Sequence, residues 1–372
     1  MGRTVIGVGD AKAVKKFSAF LAVDVGKKSY FNRKMMGVGI EAETPLQTLP
    51  HLENDSGDQI GFDLVMALRM KPVQGDNTLR GKEEDLKFYS DSVYIDQLRG
   101  GVNTGGKMTR KRTIHNLRKI ARARQSDWWS RLFDETFFMY LSGARGVATD
   151  FIEDTDFTGY AGNSFATPDT AHRAYGGDAT SYATIDSGDK LTLTAIDKLV
   201  TKANTMGGGT TGIPRIQPCM VDGEERYVLL MHPFQEYDLR TSSSTGQWMD
   251  IQKAAAAAEG RDNPLFKGGL GLYNNVILHT HRNVVRFSDA GAGSNVAAAR
   301  ALFMGRQAGV VAFGSPGTDL RFDWNEETED RGNQVVITTS SIFGVKKTRF
   351  SIDGTSYDFG VIAVDTAAAD PT

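Results

Sequence analysis

The most regular hydrophobic pattern in the chain lies at residues 58–70. Large apolar side chains occupy every second position there, namely Ile60, Phe62, Leu64, Met66, Leu68 and Met70. This period of two predicts a strand with one apolar face. A second strand is predicted at 91–103, and the residues between the two strands are polar, charged and glycine-containing. An isolated two-stranded ribbon is marginal in water, so the pattern predicts a long excursion that needs a partner surface.

A helical pattern follows at residues 113–142, which contain no glycine or proline. Apolar residues fall near helical spacing at Ile114, Leu117, Ala121, Trp128, Leu132, Phe137 and Leu141. Gly143 is suited to end the helix. Thirty helical residues would span roughly 45 Å, so we expect a spine across which other elements lie.

The first 50 residues are too interrupted by glycine and proline to form an independent domain. Val14, Phe17, Phe20, Leu21 and Val25 predict a short amphipathic helix. We therefore expect an arm that packs on another surface.

The rest of the chain mixes helical and strand patterns. Residues 143–190 lack periodicity and predict a long loop or small insertion. Helices are predicted at 191–204 and 246–260, and strands within 226–239, 263–287, 299–314, 334–352 and 358–366. The predicted fold class is α+β.

The amino-acid composition excludes several classes of protein. Hydrophobic residues make up 40% and charged residues 24%, with a formal net charge of -2, which argues against wholesale disorder and a generally basic nucleic-acid coat. Cys219 is the single cysteine, so neither an internal disulfide nor a zinc ribbon can form. No apolar stretch suits a signal peptide or a membrane span. We expect a soluble protein made in a reducing cytoplasm.

Charge is segregated locally although the chain is nearly neutral. Residues 97–126 contain nine lysines and arginines and no acidic residue, whereas residues 322–332 are strongly acidic. The basic segment suits a solvated helix face, contact with nucleic-acid phosphate, or contact with an acidic surface on another subunit. We favour the last and expect the basic and acidic segments to meet across a subunit boundary.

Motifs for catalysis are incomplete. Residues 101–108 imitate a phosphate-binding loop, but Met108 stands where a hydroxyl must hold Mg²⁺. Residues 154–159 imitate a calcium loop, but Phe165 replaces the required Glu. His279 and His281 form a pair without a nearby third ligand. The sequence predicts no catalytic, cofactor or metal site, and the protein is not expected to be an enzyme.

Several segments resemble the major capsid proteins of certain tailed phages. Their strand opens with Gly-Asp, as at 57–58, and their hairpin tip carries a Gly–acidic–Leu cluster, as at 81–86. A Tyr-Ser-Asp turn and an Ile-Asp-Gln strand follow, as at 89–97. The segments DWWSRLFDETFFMYLSGARG and NPLFKGGLGLYNNVIL are also similar. The resemblance covers about residues 10 to 365 and is most specific at 57–146.

The resemblance implies an HK97-like capsid fold. It implies an N-terminal arm (1–57), an extended β-hairpin loop (58–107), a peripheral domain with the spine helix and following loop (108–190), a mixed α/β axial domain with peripheral-domain strands interleaved (191–333), and C-terminal strands and tail (334–372). The implied function is self-assembly into the hexamers and pentamers of an icosahedral shell that encloses double-stranded DNA. The alternatives are an encapsulin-like compartment shell and a basic nucleic-acid-binding protein.

The expected partners are other copies of the chain, a portal protein, a separate scaffolding protein, possible decoration protein and non-specifically packaged DNA, with no membrane. The expected location is the virion capsid, assembled in the host bacterial cytoplasm. The residues expected at inter-subunit contacts are Arg80, Glu83, Glu84, Asp85, Arg118, Arg122, Glu326 and Glu327.

Overall fold

A computed structural model describes most of the chain. The described residues are 11–39, 42–50, 53, 57–66, 68, 70–160, 162–207, 213–221, 223–242, 251, 269–315 and 321–371, with the backbone alone at 11–17. The helices with described bounds are α1 (Ala11–Lys28), α2 (Tyr30–Lys34), α3 (Lys107–Arg112), α4 (Leu117–Ser142), α5 (Leu193–Thr205) and α6 (Pro233–Ser242). No helix in these ranges is long and apolar enough to cross a membrane.

Strands connect distant parts of the chain. They are β1 (Met36–Val38), β2 (Leu46–Leu49), β3 (Gln59–Val65), β4 (Phe88–Tyr94), β5 (Asp96–Asn103), β6 (Arg173–Tyr175), β7 (Cys219–Val221), β8 (Glu224–Met231), β9 (Gly271–Tyr273), β10 (Val276–Thr280), β11 (Arg286–Ala290), β12 (Val296–Met304), β13 (Gly309–Gly314), β14 (Phe322–Glu329), β15 (Gln334–Lys347), β16 (Arg349–Ile352), β17 (Thr355–Asp358) and β18 (Val361–Ala367).

The first large sheet is organised around the 14-residue strand β15. The sheet runs β1-β2-β13-β15-β14, and β5 pairs with β15 as well. Alternate residues of β15, including Ile337, Phe343 and Val345, join the hydrophobic core that α4 also enters. This period of two places one face of the sheet against the spine helix.

The spine helix α4 confirms the helix predicted from the glycine-free stretch, with a later start. Asn116 caps its first turn, because the side-chain Oδ1 accepts a hydrogen bond from Lys119 N at 3.1 Å. Thr113 is extended (φ -93°, ψ 142°) and separates α4 from the short helix α3. Gly143 ends the helix in the left-handed region at φ 69°. The predicted start at residue 113 was therefore wrong by about one turn.

The arm packs on its own spine. Leu21, Val25 and Phe31 are buried in the same core as α4, and α1 contacts both α4 and β14. Asp134 on α4 accepts hydrogen bonds from Ser29 Oγ at 2.7 Å and Tyr30 N at 2.9 Å. The predicted arm helix is confirmed, with Leu21 and Val25 on its buried face, whereas Phe20 is 44% exposed. The side chains of Val14 and Phe17 lie outside the described residues.

The second large sheet lies in the later part of the chain. It runs β6-β18-β12-β8-β10-β9, with β7 added to β8 and β11 added to β12. Helix α5, close to the prediction at 191–204, buries Ile196 and Leu199 against this sheet. The strand predicted at 226–239 ends at Met231, and Pro233 begins α6. Of the helix predicted at 246–260, only Ile251 is described, and the rest lies outside the described residues.

Lysines of α5 cover the outer strand of this sheet. Lys202 Nζ donates to the main-chain oxygen of Arg173 in β6. Lys198 Nζ donates to Gly177 O, just after the strand, at 3.3 Å. Main-chain acceptors at this edge therefore already have partners.

A buried ion pair joins the spine to the second sheet. Arg300 on β12 binds both carboxylate oxygens of Asp365 on β18, at 2.6 and 2.9 Å. Its Nη1 also donates to Ser142 O at the end of α4, at 2.9 Å. Because a helix leaves its last carbonyl oxygens without partners, this contact both completes α4 and fixes it to the sheet. Residues 143–190 are mainly loop, as predicted, with β6 and one short 3₁₀ turn.

Candidate assembly surface

The hairpin of β3 and β4 projects from the first sheet as a separate two-stranded ribbon. Its ladder pairs Gln59 with Tyr94 and ends at Val65 with Phe88. The second strand predicted at 91–103 is in fact two strands, because β5 leaves the ribbon and pairs with β15. The strand pattern of the sequence runs without a break from β4 into β5. It therefore gave no sign that β5 pairs with β15 and not with the hairpin.

The base of the hairpin is anchored by polar contacts. Lys346 Nζ lies 2.5 Å from Asp91 Oδ1, and Arg349 N donates to Asp91 Oδ2 at 3.2 Å. The amide of Asn163 imitates a neighbouring strand, since it accepts from Tyr94 N at 3.1 Å and donates to Tyr94 O at 2.7 Å. The base is therefore held firmly in one orientation.

Apolar cover on the hairpin stops partway along it. Ile60 is buried, and Phe62, Leu64 and Met66 pack beside the small β16–β17 hairpin. Leu68 and Met70, which continue the same alternating row, are about half exposed. Leu79 and Leu86 in the tip are 54% and 58% exposed. The outer half of the hairpin thus presents apolar side chains that this chain does not cover.

The tip, residues 70–87, also carries the charges expected at a subunit contact. Arg80, Glu83 and Asp85 are exposed, and Glu84 is half-buried. Hydrogen bonds from the backbone N–H groups of Glu83 and Gly81 hold the pKa of the Glu83 carboxyl below its ordinary value. Glu83 is therefore ionised at neutral pH.

The basic and acidic segments meet within one chain. Arg118 Nε lies 2.7 Å from Glu326 Oε1, and Arg122 Nη2 lies 3.0 Å from Asp24 Oδ2. The proximity of Arg118 to Glu326 matches the expectation, and here the two side chains belong to one chain. Glu327 is exposed on β14, where its Oε1 accepts from Asn325 Nδ2 at 3.1 Å.

Four other cations of the basic segment lack such partners among the described residues. Lys107, Lys111, Arg112 and Lys119 are exposed, and none forms an ion pair with an acidic residue in the described ranges. Beside them, Met108 is 61% exposed and Ile114 is 95% exposed. We call residues 107–119 the cationic platform.

A surface cavity of about 360 Å³ opens within the platform. Its lining includes the apolar side chains of Leu117, Val335 and Ile337, the cation Arg110, and the ion pair of Arg118 with Glu326. The cavity therefore combines an apolar interior surface with charges of both signs.

The motifs that imitate enzyme sites have structural roles. Lys107 N, at the start of α3, donates to Asn333 Oδ1 at 3.1 Å, so a side chain occupies the place a phosphate would take. Across the described ranges, no group of three or more His, Cys, Asp and Glu is placed to hold a metal ion. His281 stacks on Phe138 at 4.8 Å, and burial with nearby cations lowers its pKa to about 4.

The structure has the parts of an HK97-like subunit: an arm, a projecting hairpin, a spine helix and two sheets. In a single copy, apolar side chains of the hairpin tip and of the platform remain exposed. These features define a shell-building protein. The family model described as phage capsid protein matches residues 5–370. The chain belongs to the phage capsid protein family.

Known capsids agree with this assignment. The chain is 53% identical to the capsid protein of Ralstonia phage GP4, with a TM-score of 0.85 and full coverage of both chains. It is 28% identical to the major capsid protein of Pseudomonas phage KPP25, covering 90% of each chain. The capsid of cyanophage Pam1 shares the fold, with 21% identity, a TM-score of 0.65 and coverage of 89% and 91%. The function of the chain is that of a tailed-phage major capsid protein, the building unit of the shell.

Proposed function

We propose that the chain forms hexamers and pentamers of an icosahedral shell, and that the hairpin tip covers part of a neighbouring subunit. The observation that carries the proposal is the uncovered outer half of the hairpin, where Leu79, Leu86 and Phe88 are each more than half exposed. A ribbon of this kind gains little stability alone, whereas a neighbouring surface would bury its apolar face. Arg80, Glu83, Glu84 and Asp85 are proposed to lie at this contact.

The finer features of the assembly belong to the same proposal. The division into arm 1–57, extended loop 58–107, peripheral domain 108–190, axial domain 191–333 and C-terminal segment 334–372 is proposed for the assembled subunit. Shells would form in the host bacterial cytoplasm with a portal and a separate scaffolding protein, and decoration protein could be added. Packaged double-stranded DNA would be enclosed without sequence-specific contacts, and the subunit would carry out no catalysis.

A deletion of the tip tests the role of the hairpin. Replacing Met70–Leu86 with a short Gly-Ser turn leaves the β3–β4 ladder and its anchor at Asp91 in place. We expect a soluble subunit that melts within a few degrees of the wild type and forms no shells, as measured by scanning calorimetry and electron microscopy.

The matched control replaces only Gln74–Thr78 with an equal number of Gly and Ser residues. It keeps Leu79–Leu86 and should still form shells. Normal shells from the full tip deletion would contradict the proposal.

A further inference from the structure

The cationic platform carries positive charge that the fold does not neutralise. Arg118 and Arg122 have acidic partners in the same chain, but Lys107, Lys111 and Arg112 on α3 do not have one among the described residues. None of these three side chains is buried. Like-charged side chains on one short helix repel each other, so the platform is suited to an acidic partner.

The tip has the complementary chemistry. Glu83, Glu84 and Asp85 form a run of three acidic residues, flanked by the exposed apolar side chains of Leu79 and Leu86. On the platform, Arg110, Lys111 and Arg112 lie between the exposed apolar side chains of Met108 and Ile114, and Lys107 directly precedes Met108. The exposed side chains of Met108 and Ile114 argue against DNA as the partner of this surface, because binding to phosphate is electrostatic and apolar side chains add nothing to it.

The remaining tip charges also find counterparts. Arg80 and Lys82 lie beside the acidic run. Near the platform, Asp330 Oδ2 accepts from Asn333 Nδ2 at 3.1 Å, and Asn333 in turn caps Lys107 N. Both signs of charge in the tip are therefore matched by charges at or next to the platform.

The hairpin base and the cationic platform are anchored at opposite ends of the long strand β15. The hairpin base is fixed at Lys346, near the end of β15. The platform is fixed at Asn333, just before the start of β15. A strand of this length spans roughly 45 Å. The platform is therefore separated from the base of the hairpin by about the length of β15.

We propose that the tip of one subunit docks on the cationic platform of a second copy, with Glu83, Glu84 and Asp85 facing Lys107, Lys111 and Arg112. Leu79 or Leu86 enters the cavity lined by Leu117, Val335 and Ile337. The inference rests on the proposed function, because it specifies where the tip binds. A contact between two different surfaces is head-to-tail, and it generates a ring when the rotation closes.

Charge reversal tests this contact. The tip-basic variant carries Glu83→Lys, Glu84→Lys and Asp85→Lys, and the platform-acidic variant carries Lys107→Glu, Lys111→Glu and Arg112→Glu. Each alone should reduce shell yield at least tenfold in electron microscopy and sedimentation. A chain that carries both sets should recover most of the yield, since every contact again joins opposite charges.

The charge-preserving control carries Lys107→Arg, Lys111→Arg and Arg112→Lys, and should assemble like the wild type. Thermal melting of each unassembled variant shows whether the subunit is folded. Because the altered side chains are exposed or half-buried, melting temperatures should change little.

A mixture of the two defective variants gives a sharper result. Tip-basic subunits can bind platform-acidic subunits in both directions, so the two alternate around a ring. An even ring of six can alternate completely, but a ring of five must contain one like-charged contact. The mixture should therefore form hexamers and open or tubular arrays, whereas the combined variant should form closed shells with pentamers.

The outcomes distinguish this contact from the broader proposal. If tip deletion abolishes shells but neither charge reversal does, the tip binds another surface and the platform contact is wrong. If tip deletion has no effect, the proposed role of the hairpin itself fails. If the platform-acidic variant builds normal empty shells and fails only when DNA is packaged, the platform binds the genome and the inference is overturned.

Discussion

Asp134 is an acidic side chain buried at the junction of arm and spine. Burial raises the pKa of its carboxyl to about 6, although hydrogen bonds from Tyr30 N, Ser29 Oγ and Phe31 N oppose the rise. The neighbouring Glu135 carboxylate raises the pKa further. The ionised carboxylate therefore costs free energy in the folded subunit, while its three donors keep the arm in place.

The stabilising effect of Asp134 should depend on pH. Because its folded pKa lies above the unfolded value of about 4, the folded state binds the extra proton between roughly pH 4 and 6. Its contribution is fully present below pH 4 and is lost as pH rises through 6, by an amount on the order of 2–3 kcal/mol. Urea unfolding of the unassembled subunit at pH 4.5 and 7.5 measures this contribution by comparison with Asp134→Asn, which cannot titrate. A stability difference between the two proteins that is equal at both pH values would contradict the assignment.

Individual residues show how far the sequence could lead. Segregated charge correctly indicated that Arg118 and Glu326 would be near each other, and their Nε–Oε1 distance is 2.7 Å. Complementary charge does not say which chain supplies each partner, and in the structure this pair lies within one chain. Asp134 gave no signal in the sequence, because its role depends on donors at Ser29–Phe31, more than 100 positions earlier.

The end of the spine helix depends on one glycine. Gly143 has φ 69°, and a Cβ added there would lie 2.1 Å from the carbonyl oxygen of Ala166. An alanine in the left-handed conformation costs about 1–2 kcal/mol. Gly143→Ala should destabilise the subunit by more than this amount, because the backbone at residues 166–167 must also move. Differential scanning calorimetry of the unassembled subunit measures the loss.

Gly75→Ala in the tip is the matched control. Gly75 has φ 61°, but nothing lies within 4 Å of its added Cβ. It should lower the melting temperature less than Gly143→Ala does. Equal effects of the two substitutions would mean that contact with Ala166 is unimportant.

Whole elements were predictable where their signal was local. The absence of glycine and proline over 113–142 predicted α4, and alternation of apolar residues predicted β3. The start of α4 was missed because Thr113–Asn116 contains no glycine or proline to mark a break, although Asn116 acts as the helix cap. Pairing of β5 with β15 joins residues about 240 positions apart, and no pattern within either segment specifies that pairing.

At the scale of the whole molecule, assembly through opposite charges should weaken with salt. The screening length falls from about 10 Å at 0.1 M to about 3 Å at 1 M ionic strength. We expect the concentration of subunit needed for shell formation to rise several-fold over this range, as followed by light scattering. The melting temperature of the unassembled subunit should change much less, because its core is apolar. Assembly that is insensitive to NaCl would show that charge contributes little.

The lysines along β6 matter before any shell exists. A shell subunit accumulates in many copies, and a strand with unpaired main-chain groups is a template on which other chains can add. Lys198 and Lys202 occupy carbonyl oxygens at this edge and place two positive charges where an intruding strand would lie. A strand from another chain could add to this edge only by displacing these lysines, which disfavours edge-to-edge association.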